Sequence, residues 1–140
     1  MEKSIEKNYF SVEVPPSQLS PLSLAYIGDA VYEMYVRSYI MKDCNMPVAK
    51  LHKAATRFVS ATSQAAIVKN ISDEFTDEEM SVYKRGRNAH SYTSAKNADI
   101  VDYRMATGLE ALIGYLFIKK ETQRLEEIIA RSIDVINAEK

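Results

Sequence analysis

The chain has 140 residues, of which 46% are hydrophobic and 26% are charged, a composition typical of one ordinary globular domain. Its formal net charge of −1 argues against a protein that coats nucleic acid indiscriminately, because such binding is driven by neutralisation of phosphates. The single cysteine, Cys44, excludes an internal disulfide or a cysteine-rich zinc site and favours a reducing, cytoplasmic location.

Residues 1–19 are predicted to be a lead-in segment to a domain that spans residues 20–140. They contain Pro15 and Pro16 and show little periodicity, and the charges at their start are not those of a secretory signal. The longest apolar run, around residues 111–118, falls far short of the roughly 20 residues that a membrane span needs. No membrane association is therefore expected.

The rest of the chain is predicted to fold as an all-α domain. Ser20 before Pro21 is a good N-cap and first-turn pair, and Thr76 with Glu79 has the spacing of a capping box. Helices are predicted over residues 21–42, 47–69, 76–85 and 103–119, and from residue 122 to the end. A break at Gly86 should open a polar and basic stretch, residues 87–102, which is predicted to be a functional loop.

Two carboxylates lie among apolar neighbours inside these helices, Asp29 in the first and Glu110 in the fourth. Gly28 and Gly114 lie nearby, and because glycine inside a helix costs about 1 kcal/mol relative to alanine, they suggest that the two helices approach closely. If the helices cross there, the carboxylates share one cleft and repel each other unless a cation lies between them. Oxygen-only ligation indicates magnesium or manganese. From the pattern alone, however, an acid at the core rim paired with Lys or Arg is the more ordinary arrangement.

The segments around these acids resemble the two signatures of the ribonuclease III family. Residues 24–31, Leu-Ala-Tyr-Ile-Gly-Asp-Ala-Val, are similar to the first signature, and residues 109–114, Leu-Glu-Ala-Leu-Ile-Gly, are similar to the second. Two motifs in the expected order are far more specific than either alone. The chain leaves no room for the separate double-stranded-RNA-binding domain of the full-length enzymes, and residues 85–89 and 96–99 also look like the Mini-ribonuclease III branch.

This resemblance implies a single, all-α ribonuclease III-like endonuclease domain. Asp29 and Glu110 would be its catalytic residues and the ligands of Mg²⁺, for which Mn²⁺ could substitute, with water and RNA phosphate oxygens completing the shell. Two other acidic positions of the full-length pattern are occupied by Ala25 and Thr107, so the number of ions in each site stays open. Tyr26 occupies the aromatic position that the family uses at its dimer contact, although a core tyrosine is an equally good interpretation.

The resemblance also implies an activity, the metal-dependent hydrolysis of double-stranded RNA to 5′-phosphate and 3′-hydroxyl ends by a homodimer. For the Mini-ribonuclease III branch, the expected substrate is the precursor of large-subunit (23S) ribosomal RNA, and a helper ribosomal protein stays open. Residues expected to contact RNA are basic or hydrogen-bonding side chains around the polar stretch: Lys84, Arg85, Arg87, Asn88, Ser91, Thr93 and Lys96. Without the resemblance, a solvated charged loop is the more ordinary interpretation.

Two other functional classes compete with the nuclease. A non-catalytic helical RNA-binding or assembly module on the same scaffold is favoured by Ala25 and Thr107, which replace acids. Such a module gives no reason to keep both Asp29 and Glu110 in apolar surroundings. A helical protein-interaction domain unrelated to RNA would require both signatures to be accidental, and it predicts no binding to duplex RNA.

Overall fold

The computed structural model describes residues 11–89 and 99–139, and every regular element in these two ranges is a helix. The predicted all-α fold is therefore confirmed. The α-helices are α1 (Pro21–Met41), α2 (Val48–Val59), α3 (Ala61–Ile71), α4 (Asp77–Arg87), α5 (Ile100–Ile118) and α6 (Thr122–Ala138), and short 3-10 turns lie at Pro16–Gln18 and Ser72–Glu74. None of these helices is both long enough and apolar enough to cross a bilayer.

Helix α5 lies at the centre of the core. It makes its largest contact with α1, and it also packs against α3, α4 and α6. Leu109, Leu112 and Ile113 of α5 are completely buried, and residues 114–116 are buried too. A helix that is apolar on nearly all sides is expected where other helices surround it. Any polar group on α5 is therefore placed by its neighbours with little freedom.

The starts of two helices follow the predicted caps. The Ser20 hydroxyl accepts a hydrogen bond from the Ser23 amide at the start of α1. At the start of α4, Thr76 and Glu79 form the predicted capping box, in which each side chain accepts from the other residue's backbone N–H. These local signals are strong because each one satisfies backbone donors that the helix leaves unpaired.

The Glu79 carboxylate also ties α4 to α6. It is only 4% exposed, and Arg124 donates two hydrogen bonds to it, at 2.8 Å and 2.9 Å. Burial raises the pKa of Glu79, but the bonds from Arg124 and from the Thr76 amide outweigh burial and hold the pKa below its usual value. Glu79 and Arg124 thus form an ion pair that stabilises the packing of α4 against α6.

The prediction of one helix over residues 47–69 is wrong, because this range contains two helices, α2 and α3. The chain breaks at Ser60, whose backbone is extended (φ −64°, ψ 156°) and whose hydroxyl accepts from the Ser63 amide to cap α3. The apolar period continues through the break because both helices bury residues in one core, for example Phe58 and Ile67. Periodicity alone therefore did not reveal the new start.

The predicted break at Gly86 is also wrong, since α4 continues through it to Arg87. Gly86 is buried against α5, and a Cβ there would lie 2.7 Å from the Cβ of Ala111 and 3.0 Å from the Cα of Gly108. This glycine is present for close packing rather than to end the helix.

Helix α5 begins at Ile100, three residues before its predicted start, and Asp99 caps it by accepting from the Val101 amide. Both ends of the stretch predicted as a loop therefore belong to helices, since it begins in the last turn of α4 and ends in the first turn of α5. Its middle, residues 90–98, lies outside the residues that the structure describes.

The close crossing of α1 and α5 is confirmed. A Cβ on Gly28 would overlap the backbone carbonyl oxygen of Glu110 and would lie 2.8 Å from the backbone nitrogen of Gly114. A Cβ on Gly114 would in turn overlap the carbonyl oxygen of Leu24. Each glycine therefore touches the backbone of the opposite helix, and no side chain fits between them.

We expect Gly28→Ala to lower the free energy of unfolding by about 3 kcal/mol, the upper part of the usual cost of inserting a methyl group into a packed core. The alanine gains about 1 kcal/mol of helix propensity, but α1 must move away from α5 to admit it. Urea unfolding followed by circular dichroism measures the change. Lys53→Ala, on the exposed side of α2, is the control and should stay within about 0.5 kcal/mol of the wild type. A Gly28→Ala protein of wild-type stability would contradict a backbone-to-backbone crossing.

Candidate active site

The crossing of α1 and α5 brings Asp29 and Glu110 together. Gly28 lies against the carbonyl of Glu110, so Asp29, the next residue of α1, is adjacent to the glutamate side chain. The carboxyl groups are close enough to share a hydrogen bond as well as to repel through their charges. Asp29 is exposed and Glu110 is partly buried, so the pair opens to solvent on the Asp29 side.

The environment of Glu110 opposes its ionisation. Burial raises the pKa of this carboxyl to about 8, and the charge of Asp29 and the hydrogen bond shared with it act in the same direction. A hydrogen bond from Gln64 opposes this rise without cancelling it. The protein itself therefore compensates the charge of an ionised Glu110 poorly, and a nearby cation would favour ionisation of this carboxyl group.

Within the part of the chain that the structure describes, neither acid has the basic partner that the more ordinary interpretation required. Among residues 11–89 and 99–139, the side chains of Lys and Arg that lie within 4.0 Å of a carboxylate all contact other acids. The same part of the chain contains no cluster of three His, Cys, Asp or Glu side chains. At this crossing the described residues therefore offer two carboxylates, those of Asp29 and Glu110.

Gln64, in the first turns of α3, is a third polar residue of the site and was not predicted from the sequence. It is 1% exposed, and its Nε2 donates to Glu110 Oε2 at 3.1 Å and to the backbone oxygen of Val59 at 3.0 Å. Its Oε1 is buried and accepts no hydrogen bond from the described residues. In the sequence, Gln64 is a lone glutamine beside the apolar stripe of its helix. It belongs to no motif that would indicate a functional role.

Ala25 and Thr107 occupy the two positions at which the full-length signatures have acids. Ala25, on α1, is buried, and the Thr107 hydroxyl donates to the backbone oxygen of Tyr103 at 3.0 Å. Neither residue provides a carboxylate, so the site has fewer acidic groups than the full-length signatures have.

Three of the basic residues predicted to contact RNA lie on a helix: Lys84 and Arg85, as predicted, and Arg87, which was expected in the polar stretch. Lys84, Arg85 and Arg87 form the last turn of α4, and Asn88 is its C-cap. Positive charge at this end is favourable because the C-terminus of a helix carries partial negative charge. Ser91, Thr93 and Lys96, which were also predicted to contact RNA, lie outside the described residues.

An open cleft of about 740 Å³ runs along α4 from Asp77 in its first turn to Asn88 at its end. Lys84 and Arg85 line it near that end, and Pro21 at the start of α1 lines it too. Arg87 lies 5.8 Å from the centre of a tyrosine ring, and its Nε donates to Asn88 Oδ1 at 3.1 Å. Lys84 and Arg85 are exposed, so their charges are directed to solvent at the cleft.

Tyr26 is 84% exposed, so the interpretation of a core tyrosine is wrong. Leu22 and Met34, four residues before and eight after it, lie on the same side of α1 and are also exposed. An open cleft of about 480 Å³ continues along this helix, and Ala30, Met34 and Met41 are among its lining residues. Helix α1 thus presents an exposed apolar stripe to solvent.

Comparison with known proteins gives a consistent result. The Ribonuclease III domain family matches residues 22–121, a range that includes Asp29, Gln64 and Glu110. The Mini-ribonuclease 3 of Clostridium tetani is 52% identical over 119 residues, covering 84% of this chain and 79% of that protein, and the Mini-ribonuclease 3 of Staphylococcus aureus is 46% identical over 121 residues, covering 85% and 90%. A crystal structure of a Fusobacterium nucleatum protein is similar with a TM-score of 0.76 and 29% identity, covering 84% of this chain and 93% of that one.

In the presence of a chelator, we expect Glu110→Gln to stabilise the protein, and more so at about pH 8 than at about pH 5. The pKa of Glu110 is about 8 in the folded state, against 4.5 in the unfolded chain, so between these pH values only the folded state keeps the proton. The folded wild type therefore loses stability as the pH rises between these values. Glutamine does not titrate, so the gain at pH 8 should be at least about 2 kcal/mol. Thermal unfolding in chelator at several pH values measures it.

Glu79→Gln is the matched control, and the opposite result is expected. The pKa of Glu79 is lowered in the folded state, so its ion pair stabilises the protein above the ordinary glutamate pKa and this contribution is lost as the pH falls through the lowered value. Replacing this acid should therefore destabilise the protein at pH 8. If Glu110→Gln had the stability of the wild type at every pH, the strained carboxylate pair would be contradicted.

Proposed function

The chain belongs to the ribonuclease III family, within its Mini-ribonuclease III branch, and on this premise we propose that it is an endoribonuclease that cuts double-stranded RNA with Asp29 and Glu110 as its catalytic residues. The proposal is supported above all by the crossing of α1 and α5, which places these two carboxylates side by side with no Lys or Arg of the described residues paired to them. A non-catalytic RNA-binding module would bear the energetic cost of this pair without using it.

The same two residues are proposed to hold a divalent ion, Mg²⁺ or in its place Mn²⁺. The donor set fits, because both ligands are carboxylates and their repulsion is what a doubly charged ion relieves. When bound, such an ion stabilises negative charge on phosphate oxygens and lowers the pKa of a coordinated water. Ala25 and Thr107 offer no further acidic ligand, so RNA and water would complete the shell.

The two carboxylates differ in their access to solvent. Asp29 is exposed and can be approached by a duplex from solvent, whereas Glu110 is fixed in the core by its neighbours. In the proposed hydrolysis, water releases a proton as its oxygen bonds to phosphorus, the bond from phosphorus to the ribose 3′ oxygen breaks, and the departing oxygen takes up a proton. The products are a 5′-phosphate and a 3′-hydroxyl end.

We propose that the duplex contacts the basic end of α4. Lys84 and Arg85 are exposed at an open cleft, where they can neutralise phosphates, and Asn88 can hydrogen-bond to ribose hydroxyls across the shallow groove. Arg87 extends this basic turn. For Ser91, Thr93 and Lys96, the proposal depends on the sequence alone. Because the net charge is −1, RNA binding should be local and should involve few phosphates.

A homodimer through the exposed stripe of α1 is proposed as the working assembly. Tyr26 and its apolar neighbours on α1 would be covered by the same surface of a second copy, as a two-fold interface requires. Two equivalent sites could then cut the two strands of one duplex and leave short 3′ overhangs.

The precursor of 23S ribosomal RNA is the natural substrate that we propose, in the cytoplasm and with or without a helper ribosomal protein. This part of the proposal depends only on the resemblance to the Mini-ribonuclease III branch. Residues 20–140 would form the catalytic domain, with residues 1–19 as its lead-in.

Asp29→Asn and Glu110→Gln are each expected to lower duplex cleavage by about a thousandfold or more, because each removes a catalytic carboxylate. End-labelled duplex RNA, incubated with Mg²⁺ or with chelator, measures the cleavage, and gel retardation without Mg²⁺ checks that binding persists. Asp134→Asn, which changes an exposed acid on α6, is the control and should cut normally. Wild-type protein that binds the duplex but leaves it intact with Mg²⁺ would favour the binding module, and absence of binding would favour a protein-interaction domain.

Arg85→Ala should weaken duplex binding and reduce the slope of log affinity against log salt by about one, since one phosphate contact is lost. Fluorescence anisotropy with labelled duplex RNA at a series of salt concentrations gives both quantities. Arg131→Ala removes the same charge from α6, where the arginine pairs with Glu74, and should leave the slope unchanged. Equal slopes for both variants would exclude Arg85 from the RNA contact.

Tyr26→Arg should raise the dimer dissociation constant by about thirtyfold or more, as is usual when a central aromatic residue of an interface is lost. Sedimentation velocity over a range of protein concentrations measures this constant. Val48→Arg is the matched control, because Val48 is 79% exposed but lies on α2. A dimer that survives Tyr26→Arg unchanged would show that the stripe of α1 is not its interface.

A further inference from the structure

Gln64 is an unusual residue for a helical core. Glutamine is seldom fully buried, and a buried amide is costly unless its donors and acceptors are paired. Both donor directions of Nε2 are used, one by the Val59 carbonyl and one by Glu110. Because a carbonyl can only accept, the nitrogen of the amide, and not its oxygen, must face these two groups. The orientation of the side chain is therefore determined by its partners.

The break between α2 and α3 prepares this orientation. Val59 is the last residue of α2, and the Gln64 amide nitrogen of the main chain donates to the Ser60 oxygen at 2.9 Å in the first turn of α3. The main chain and the side chain of Gln64 are thus both anchored at one junction. The buried hydroxyl of Tyr32 donates to the Phe58 oxygen at 2.9 Å and fixes the same junction against α1.

We propose that Gln64 is a positioning residue of the active site, whose amide nitrogen holds Oε2 of Glu110 and so orients this carboxylate toward Asp29 and the cation. The inference deepens the proposed function and depends on it. It makes α3 the third helix of a site for which the sequence indicated only α1 and α5. Where Ala25 and Thr107 supply no acid, a fixed glutamate compensates for the smaller number of ligands.

An amide suits this task better than a basic side chain. A lysine or arginine at position 64 would also hold Glu110, but its positive charge would repel a divalent ion at close range. The neutral amide uses only part of one carboxylate oxygen's capacity to accept, and the remaining lone pairs of Glu110 stay available. Gln64 therefore orders the ligand without neutralising it.

The first test is Gln64→Met, which keeps the length of the side chain and removes the donors. We expect the affinity of the RNA-free protein for Mn²⁺, measured from the electron paramagnetic resonance signal of the free ion, to fall about tenfold. The Mg²⁺ concentration for half-maximal cleavage should rise by a similar factor while KM for the duplex is unchanged. Ser132→Ala is the control, because Ser132 is also fully buried but bonds only within α6, to the Ile128 oxygen, and both metal quantities should stay at the wild-type value.

A merely structural role for Gln64 would lower the melting temperature and leave both metal quantities unchanged, and this result would overturn the inference. If the wild type itself neither binds Mn²⁺ nor cuts duplex RNA, the proposed function fails instead, so the two failures are distinguishable.

A second measurement needs no substitution, in case Gln64→Met does not fold. The chain has three glutamines, and Gln18 and Gln123 are exposed, so their side-chain amide signals in nitrogen–proton spectra are internal controls. As Mg²⁺ is added to saturation, monitored by calorimetry, we expect the Gln64 signals to shift while those of the other two do not. Unchanged Gln64 signals at saturation would overturn the inference.

Discussion

The backbone contact between α1 and α5 at Gly28 and Gly114 determines where the other parts of the site can be. Because Gly28 faces the carbonyl of Glu110, the next residue of α1, Asp29, must lie beside that glutamate. Gly86 and Gly108 bring α4 onto α5 in the same way, and a Cβ on Gly108 would lie 2.6 Å from an aromatic ring of α4. All four glycines of the chain therefore serve to bring a helix close to α5.

The site that results is destabilising by its nature. The folded chain must keep two carboxylates close together, one of them partly buried, and the large apolar core around α5 compensates for this unfavourable interaction. Such local strain is common where a protein binds a charged ligand, because the same repulsion that weakens the fold favours the ligand. Glu79 shows the difference, since this buried acid is paired with Arg124 through two hydrogen bonds.

The sequence predicted what local chemistry or a motif specifies, and it missed what depends on a distant neighbour. The capping box at Thr76 and the glycines of the α1–α5 crossing follow from residue type and position, and both were predicted. The start of α3 at Ser60 was missed because one apolar period runs through two helices. Gln64 was missed because its role exists only when α3 meets α5, and the exposure of Tyr26 could not be deduced because a tyrosine suits a core and a surface equally.

The two halves of the carboxylate pair are about eighty residues apart in the chain, and this has a consequence for its synthesis. Local contacts form early in folding, whereas a contact of such long sequence separation must wait for the intervening chain. As α1 leaves the ribosome, its apolar side has no α5 to pack against, and the pair cannot assemble until α5 has been made. An unfinished chain therefore lacks the carboxylate pair and at the same time leaves the apolar side of α1 uncovered, which favours aggregation.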